Sequence, residues 1–272
     1  MTVFGRFLLA CCIGAFCAGR AAAFDGSDPS EPASKTLDLF KNPRQALQTA
    51  LEGFRDGNAA RSVEALKYAA AGGEALAQWK LGKMYADGDG VPHDDYQAYR
   101  YFQDIVDGYD EDTANWREKS VVASAFVAAG VFHLNGISNG LLRADPEEAQ
   151  RLFLFAATHF SDSNAQYNLA RLYMDGAGQP KDHMQAARWL HLAAEKGHVE
   201  SQALLGHLLY SGDGVPAQRA RGLMWLTLAR EGASAKAQDW VKSLYDRDIK
   251  AASDNDRQIA LVYLEEQMKK RR

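Results

Sequence analysis

The seven histidines are the residues of this sequence most able to bind a metal, and their spacing does not favour a site. No HExxH motif occurs, in which two histidines on one helix face bind zinc beside a catalytic glutamate. His191, Glu195 and His198 lie close together in sequence, but we expect solvated side chains rather than three ligands. The sequence therefore predicts no metal site and no cofactor.

Patterns that indicate catalysis are equally sparse. Residues 87–90 (DGDG) resemble the start of a calcium-binding loop, but the third oxygen ligand and the distal glutamate are missing. There is no GxSxG nucleophile motif and no glycine loop of the kind that cradles phosphate. We therefore expect a protein that is not an enzyme and has no small-molecule substrate.

The amino-acid composition excludes two further classes of protein. The chain has 272 residues, of which 47% are apolar and 24% are charged, so it can bury a large core and is not a disordered protein. Its formal net charge is −4, whereas nucleic-acid-binding proteins usually carry a basic surface. These values favour a folded protein with no nucleic-acid partner.

The first 23 residues have the features of an export signal. Arg6 precedes the apolar segment 7–18, and three alanines at 21–23 provide a cleavage site before Phe24. The apolar segment is shorter than the ~20 residues of a membrane helix, so we expect no stable membrane insertion. The sequence predicts a signal peptide over 1–23, periplasmic localisation and a flexible arm over 24–42. A lipoprotein is the alternative, because the residues before Cys11 have the shape of a lipid-attachment site.

The rest of the chain repeats itself. The pattern AQxxLGxxYxxGxG aligns residues 77–90, 165–178 and 201–214, and it begins again at 237–245. Its glutamines at 166, 202 and 238 are 36 residues apart, whereas 88 residues separate those at 78 and 166. We therefore expect one stretched copy between them, around the paired glycines Gly130 and Gly136.

Each copy predicts two helices and no strand. Apolar residues on one helix face would be buried, a glycine with positive φ would end the first helix, and Asp94, Asp145 and Asp182 would cap the second. The structural positions of the repeats are Leu81, Gly82, Tyr85, Gly88, Leu169, Tyr173, Gly176, Trp189, Leu205, Gly206, Gly212 and Trp225. With a weaker pair at each end, the sequence predicts an all-α fold, a right-handed α-solenoid of about six antiparallel helix pairs. It would form a single domain over 43–272, with core repeats at about 58–245 and closing helices at 235–272.

The repeat pattern, its 36-residue period and the turn GDGVP at 88–92 and 212–216 resemble Sel1-like repeats, which are related to the tetratricopeptide repeat. Within that family, the export signal, the length and the stretched second copy are most similar to periplasmic regulators that restrain exopolysaccharide synthesis in plant-associated bacteria. The resemblance implies a protein partner, the periplasmic sensor domain of a membrane histidine kinase of the ExoS type, whose two-component pathway would be repressed. The alternative is a periplasmic scaffold for envelope or polysaccharide assembly without a signalling role.

The first helix of each repeat supplies the candidate binding residues, because first helices usually line the concave face of a solenoid. Trp79 and Lys83 occupy this face in the first copy, one helical turn apart. The matching pairs, which we also expect to be exposed, are Tyr167 with Arg171 in the third copy and Ala203 with His207 in the fourth. Aromatic and cationic side chains are typical of binding hot spots. The candidate partner-binding residues are therefore Trp79, Lys83, Tyr167, Arg171 and His207. The alternative is that the rings pack between repeats and the cations are solvated.

A run of acids marks the insertion before the stretched copy. Its members are Asp104, Asp107, Asp110, Glu111 and Asp112, and Trp116 follows them. We expect a solvated acidic loop. One alternative is that repulsion between these carboxylates makes the insertion sensitive to acidification, and another is that the insertion is the binding surface.

Overall fold

The computed structural model describes residues 40–57, 59–112, 118–234 and 238–270, where twelve α-helices occur. The helices are α1 (Pro43–Arg55), α2 (Ala59–Ala71), α3 (Ala75–Asp87), α4 (Asp95–Asp107), α5 (Lys119–Asn135), α6 (Pro146–His159), α7 (Ser163–Asp175), α8 (His183–Glu195), α9 (Val199–Ser211), α10 (Arg219–Gly232), α11 (Gln238–Ala251) and α12 (Asp254–Lys270). No strand occurs in the described ranges, and none of their helices is long and apolar enough to span a membrane.

The predicted signal peptide over 1–23 lies outside the described residues, as does the predicted arm up to residue 39. The last three residues of that arm belong to the fold. Phe40 is buried against α1 and α2, with its ring 5.5 Å from the ring of Tyr68. Asn42 caps α1, since its side chain accepts a hydrogen bond from the backbone N–H of Gln45 at 2.8 Å. The predicted arm is therefore too long at its carboxyl end.

The predicted helix boundaries are confirmed by their caps. The side chains of Asp94, Asp145 and Asp182 accept backbone N–H hydrogen bonds of 2.9–3.0 Å at the starts of α4, α6 and α8. The first helices α3, α7 and α9 end at glycines with φ between 67° and 74°, which are Gly88, Gly176 and Gly212. Because these conformations favour glycine, the glycine spacing sets the length of each first helix.

Consecutive helices pack as five pairs from α1/α2 to α9/α10, and successive pairs pack on each other. The last two helices depart from this order: α11 packs on α9 and α10, and α12 packs mainly on α10. The fold is the predicted all-α solenoid, and its closing pair has lost the regular arrangement.

Small residues set the distance between the two helices of a pair. A Cβ atom on Gly82 of α3 would lie 2.6 Å from the ring of Phe102 on α4. The same contact recurs in the next pair, where a Cβ atom on Gly130 would lie 2.6 Å from the ring of Phe153. This equivalence confirms that α5 is the first helix of the predicted stretched copy.

The other predicted repeat positions differ in how deeply they are buried. Four of them are buried in the core: Leu81, Leu169, Leu205 and Trp225. Three aromatic residues are half-buried and pack at the edge of the core: Tyr85, Tyr173 and Trp189. Gly206 faces α10, where its Cβ would meet Leu226 at 2.8 Å.

Buried glutamines join one pair to the next. The side-chain amides of Gln78, Gln166 and Gln202 donate to backbone carbonyls in the last turn of α2, α6 and α8, at 3.0–3.3 Å. These carbonyl groups lie at the ends of their helices, and two of them also accept a backbone N–H from the following turn, from Gly73 and Gly197. The recurrent glutamine of the sequence pattern is therefore a cap for the preceding repeat.

The junction before α5 is built differently. Phe126 takes the place of the glutamine, four residues before Gly130. Its ring belongs to a cluster with those of Tyr109, Phe155 and Phe160, and it stacks on Phe155 with ring centroids 4.7 Å apart. Apolar contact replaces the hydrogen bond at this junction.

Candidate protein-binding surface

The repeat register aligns the candidate positions of the first helices. Counting from the close-approach position (Gly82, Gly130, Ala170 or Gly206), the matching pairs are Trp79 and Lys83 on α3, Val127 and Val131 on α5, Tyr167 and Arg171 on α7, and Ala203 and His207 on α9. The aromatic and cationic pattern is therefore interrupted at α5, whose two valines are uncharged and half-buried.

The aromatic members of these pairs pack between repeats. Trp79 is half-buried and packs against the core formed by α4 to α7, and Tyr167 is half-buried against the core formed by α7 to α10. Burial raises the pKa of the Tyr167 phenol above its usual value, and the charge of Arg171 partly opposes this rise. The expectation that both rings are exposed is therefore wrong, and the alternative, in which the rings pack between repeats, describes both residues.

The cationic members stay at the surface. Lys83 is exposed and its ammonium lies 3.0 Å from a carboxylate oxygen of Asp87, one turn along α3. Arg171 is exposed, and its guanidinium carbon lies 5.9 Å from the centroid of the Tyr167 ring. A cation over an aromatic face is attracted by the negative charge of the ring face.

In the fourth copy, the residues predicted to face a partner contact other parts of the fold instead. Ala203 is completely buried, so its expected exposure is wrong. His207 is partly buried, and its Nδ1 atom lies 2.7 Å from the Asp248 carboxylate on α11. Asp248 is itself buried and also pairs with Arg247 at 3.0 Å. His207 therefore holds α11 against α9, and the expectation that it is exposed is wrong.

The expectation that His198 is solvated is wrong, because its side chain is only 12% exposed. Its Nδ1 accepts a hydrogen bond from the backbone N–H of Ser201 and so caps α9, at 3.2 Å. Its ring lies 5.1 Å from that of Tyr167, and its Nε2 lies 3.2 Å from the side-chain oxygen of Asn164. Burial lowers its pKa below the usual value, although Glu200 and Asp162 act in the opposite direction. The signal in the sequence was its position immediately after Gly197, where the second helix had to end.

The acidic insertion borders a cavity of about 550 Å³ between the ends of α4 and α6 and the start of α5. Asp104, Asp110 and Glu111 line it together with aromatic residues of the Phe126 cluster. His159 lies on the same wall, 2.9 Å from the hydroxyl of Tyr109. Residues 113–117, including Trp116, are outside the described part, so the alternative binding surface is described here only as far as Asp112.

The histidine and carboxylate side chains do not converge. Within the described ranges no group of three or more histidine, cysteine or carboxylate side chains is arranged to hold a metal ion. Glu195 lies 3.9 Å from His191 and accepts a hydrogen bond from Gln267, while His198 is engaged with α7 and α9.

The sequence matches the Sel1 repeat over residues 75–103, 122–159, 163–198 and 199–234. The second segment is the predicted stretched copy, and the copy predicted to begin at 237–245 is not among the matches.

Two curated relatives carry the same name, exopolysaccharide production negative regulator. The protein from Rhizobium meliloti (strain 1021) is 29% identical over 254 residues, which cover 92% of this chain and 88% of the relative. The protein from Rhizobium leguminosarum bv. viciae is 31% identical over 193 residues, which cover 70% of this chain and 67% of the relative. Among solved structures, a Sel1 repeat protein from Oxalobacter formigenes shares the fold, with a TM-score of 0.61 and 23% identity over 87% of this chain and 93% of that protein. The predicted family is confirmed, and the chain belongs to the Sel1 repeat family.

Proposed function

We propose that this protein negatively regulates exopolysaccharide production by binding another protein. The observation that carries the proposal is the name of the two relatives, one of which aligns with 92% of this chain. Sel1 repeats generally mediate protein–protein interaction, which supports a regulator that acts by binding rather than by catalysis.

The partner that we propose is the periplasmic sensor domain of a membrane histidine kinase. The export signal predicted over 1–23 would bring the protein to the compartment in which such a domain lies. A regulator that binds only the inactive state of a kinase stabilises that state by its binding free energy, and so keeps the pathway repressed.

The contact surface that we propose runs along α3, α5 and α7. Exposed cations at Lys83 and Arg171 flank the uncharged position Val131 of α5. A complementary partner would present carboxylates on both sides of an apolar centre. The two cations, rather than Trp79 and Tyr167, are the residues to test, because neither cation is part of the core.

Replacing both cations in the variant Lys83→Ala/Arg171→Ala should weaken binding of the sensor domain by about 2 kcal/mol, roughly thirtyfold in Kd. Calorimetric titration measures the affinity, and circular dichroism on the same preparations should give an unchanged melting temperature. Lys67→Ala is the matched control, since Lys67 forms a similar exposed ion pair with Glu64 but lies on the second helix α2. Full affinity of the double variant would move the contact elsewhere, first to the acidic insertion.

Cross-linking in cells, followed by purification of this protein, tests the identity of the partner. Recovery of a histidine kinase through its periplasmic domain is the expected result. Recovery of envelope synthases without a kinase would contradict the proposal and favour a scaffold without a signalling role.

A further inference from the structure

The cavity at the end of α4 corresponds to a site that is filled by a lysine later in the chain. Three residues of its wall each have a repeat equivalent 88 residues further on: Gly73 with Ser161, Gln78 with Gln166 and Gly108 with Lys196. At the later position the ammonium of Lys196 donates to the Oε1 atom of Gln166 at 3.0 Å and to the backbone carbonyl of Ser161. The first cavity has a glycine in place of that lysine.

The backbone has the same conformation at the two positions. Gly108, which follows α4, has φ −84° and ψ −3°, and Lys196, which follows α8, has φ −81° and ψ 0°. Gly73 and Ser161 both have positive φ, at 84° and 55°. The first cavity therefore has the backbone framework of the filled site without the lysine side chain.

The missing lysine leaves a buried acceptor in the cavity wall. Gln78 is only 9% exposed, and its side-chain amide donates to the carbonyl of Ala70 at 3.3 Å. Its Oε1 atom, the equivalent of the atom that accepts from Lys196, receives no hydrogen bond within the described ranges. Lys119 also lines the cavity, but its ammonium lies over the ring of Phe160, 5.9 Å from the centroid. A buried acceptor of this kind normally has a donor.

The remainder of the wall favours a cation that carries an alkyl chain. Four lining residues are carboxylates and two are basic: Asp104, Asp110, Glu111 and Glu118 against Lys119 and His159. The repeat equivalent of Asp104 is Leu192, so this negative charge belongs to the first cavity alone of the two. Ile105, Val122 and Phe160 supply apolar wall, on which the stem of an alkylammonium can pack. The volume of about 550 Å³ is that of a small-molecule site.

We propose that this cavity binds a primary alkylammonium group from outside the chain, in the place that the Lys196 side chain takes in the third copy. The ammonium donates to Oε1 of Gln78 and to the carbonyl of Gly73, and the carboxylates of the wall compensate its charge. A free aliphatic amine and a lysine side chain of another protein carry this same group. The site lies beyond the proposed regulatory function and does not depend on it.

Titration of the full chain with butylammonium chloride, followed by nuclear magnetic resonance, tests the site. Saturable shifts are expected at the side-chain amide of Gln78 and the backbone amide of Gly108, with a Kd in the millimolar range because the probe is small. Sodium chloride at equal concentration measures the effect of ionic strength alone. Tetramethylammonium has the same charge but no N–H donor, so it should bind more weakly by about tenfold.

Two substitutions at Gly108 provide a matched pair. Gly108→Lys supplies the missing side chain from the backbone position of Lys196, so its own ammonium should fill the site and raise the butylammonium Kd by about tenfold or more. Gly108→Ala adds no ammonium and should leave the Kd within about twofold of the wild-type value. In both variants the new Cβ atom lies 3.1 Å from the carbonyl oxygen of Asp104, so any local adjustment is shared. Circular dichroism verifies that both variants are folded.

The affinity for the kinase sensor domain distinguishes the two sources of the ammonium, and this measurement alone rests on the proposed partner. If a lysine of the sensor domain enters the cavity, Gly108→Lys should weaken that complex by about tenfold while Gly108→Ala leaves it unchanged. Equal affinity of both variants, with butylammonium binding lost only in Gly108→Lys, assigns the site to a free amine.

Three results would overturn the proposal. The first is the absence of saturable shifts with butylammonium, and the second is equal affinity for tetramethylammonium, which would show a general attraction of cations. The third is a butylammonium Kd that Gly108→Lys leaves unchanged. None of these results bears on the Lys83 and Arg171 surface, whose test uses other residues.

Discussion

The junctions before α7 and before α5 connect equivalent helix pairs through different kinds of interaction. At α7, Gln166 donates to the carbonyl of Ala157 at 3.3 Å and accepts from the ammonium of Lys196 at 3.0 Å. At α5, Phe126 takes the same repeat position and packs among Tyr109 and Phe155. One junction uses directional hydrogen bonds, and the other uses apolar contact.

The difference follows from the chain that precedes each junction. Each bonded glutamine lies only eight or nine residues after the carbonyl it caps, so a short turn fixes the geometry of the bond. Phe126 lies 19 residues after the end of α4. A hydrogen bond weakens steeply when its geometry changes, whereas apolar burial depends mainly on area and tolerates a longer connection. A repeat array therefore tolerates an insertion best at a junction that is stabilised by apolar packing, and less well at one that depends on hydrogen bonds.

The largest effect should come from breaking the aromatic junction. Phe126→Ala should lower the free energy of unfolding by about 3–5 kcal/mol, because it removes a ring that is only 6% exposed and leaves a cavity among Tyr109, Phe155 and Phe160. Urea denaturation followed by circular dichroism measures the loss. Phe126→Leu retains most of the volume and should cost less than about 1.5 kcal/mol.

A second substitution at this site sharpens the comparison. Phe126→Gln introduces the residue of the regular junctions, and it should be as destabilising as alanine if the stretched connection leaves no carbonyl in reach. Wild-type stability of Phe126→Gln would show that the hydrogen-bonded junction survives the insertion, against the interpretation given above.

A smaller loss of folding free energy is expected at the hydrogen-bonded junction before α7. Gln166→Leu keeps the size of the side chain but leaves the Ala157 carbonyl and the Lys196 ammonium without this partner, at a cost of about 1–3 kcal/mol. Urea denaturation followed by circular dichroism measures this change in the free energy of unfolding. Gln48→Leu, at an exposed glutamine on α1, is the control and should change stability by less than about 0.5 kcal/mol. Equal values for the two variants would show that the buried bonds of Gln166 contribute little.

Local signals explain what could be predicted from the sequence. Caps and turns depend on a few consecutive residues, so Asp145 and Gly176 could be assigned without the structure. The stretched copy followed from the spacing of Gly130 and Gly136 against the other glycine pairs. These features are encoded within one repeat, and each was confirmed.

The errors arose where one repeat meets another. Treating each first helix as buried on a single face left Trp79 and Ala203 exposed, whereas a helix within an array is covered both by its own pair and by the next repeat. His207 and Asp248 are 41 residues apart, and no local pattern indicates that they pair. The exposed cations of the candidate surface were predictable because the outermost face of a helix is set by its own periodicity.

The smallest expected effect on stability concerns His198 at the junction before α9, where it caps α9 and its side chain also contacts Asn164 of α7. Burial lowers its pKa in the folded protein, and its Nδ1 must be unprotonated to accept the N–H of Ser201. In the unfolded chain the pKa is about 6.5. Since the unfolded state then binds the proton more readily, the stabilisation is complete above pH ~6.5 and is lost as the pH falls through the folded pKa.

The slope from this one group cannot exceed about 1.4 kcal/mol per pH unit, and solvent reduces it further. His198→Asn preserves a side-chain acceptor for the cap but cannot titrate, so it should flatten the dependence of stability on pH between about 7.5 and 5.5. Urea midpoints measured for both proteins at each pH give the comparison. An equal loss of stability in His198→Asn would assign the acid sensitivity to other groups, and would leave the cap as the sole contribution of His198 to this junction.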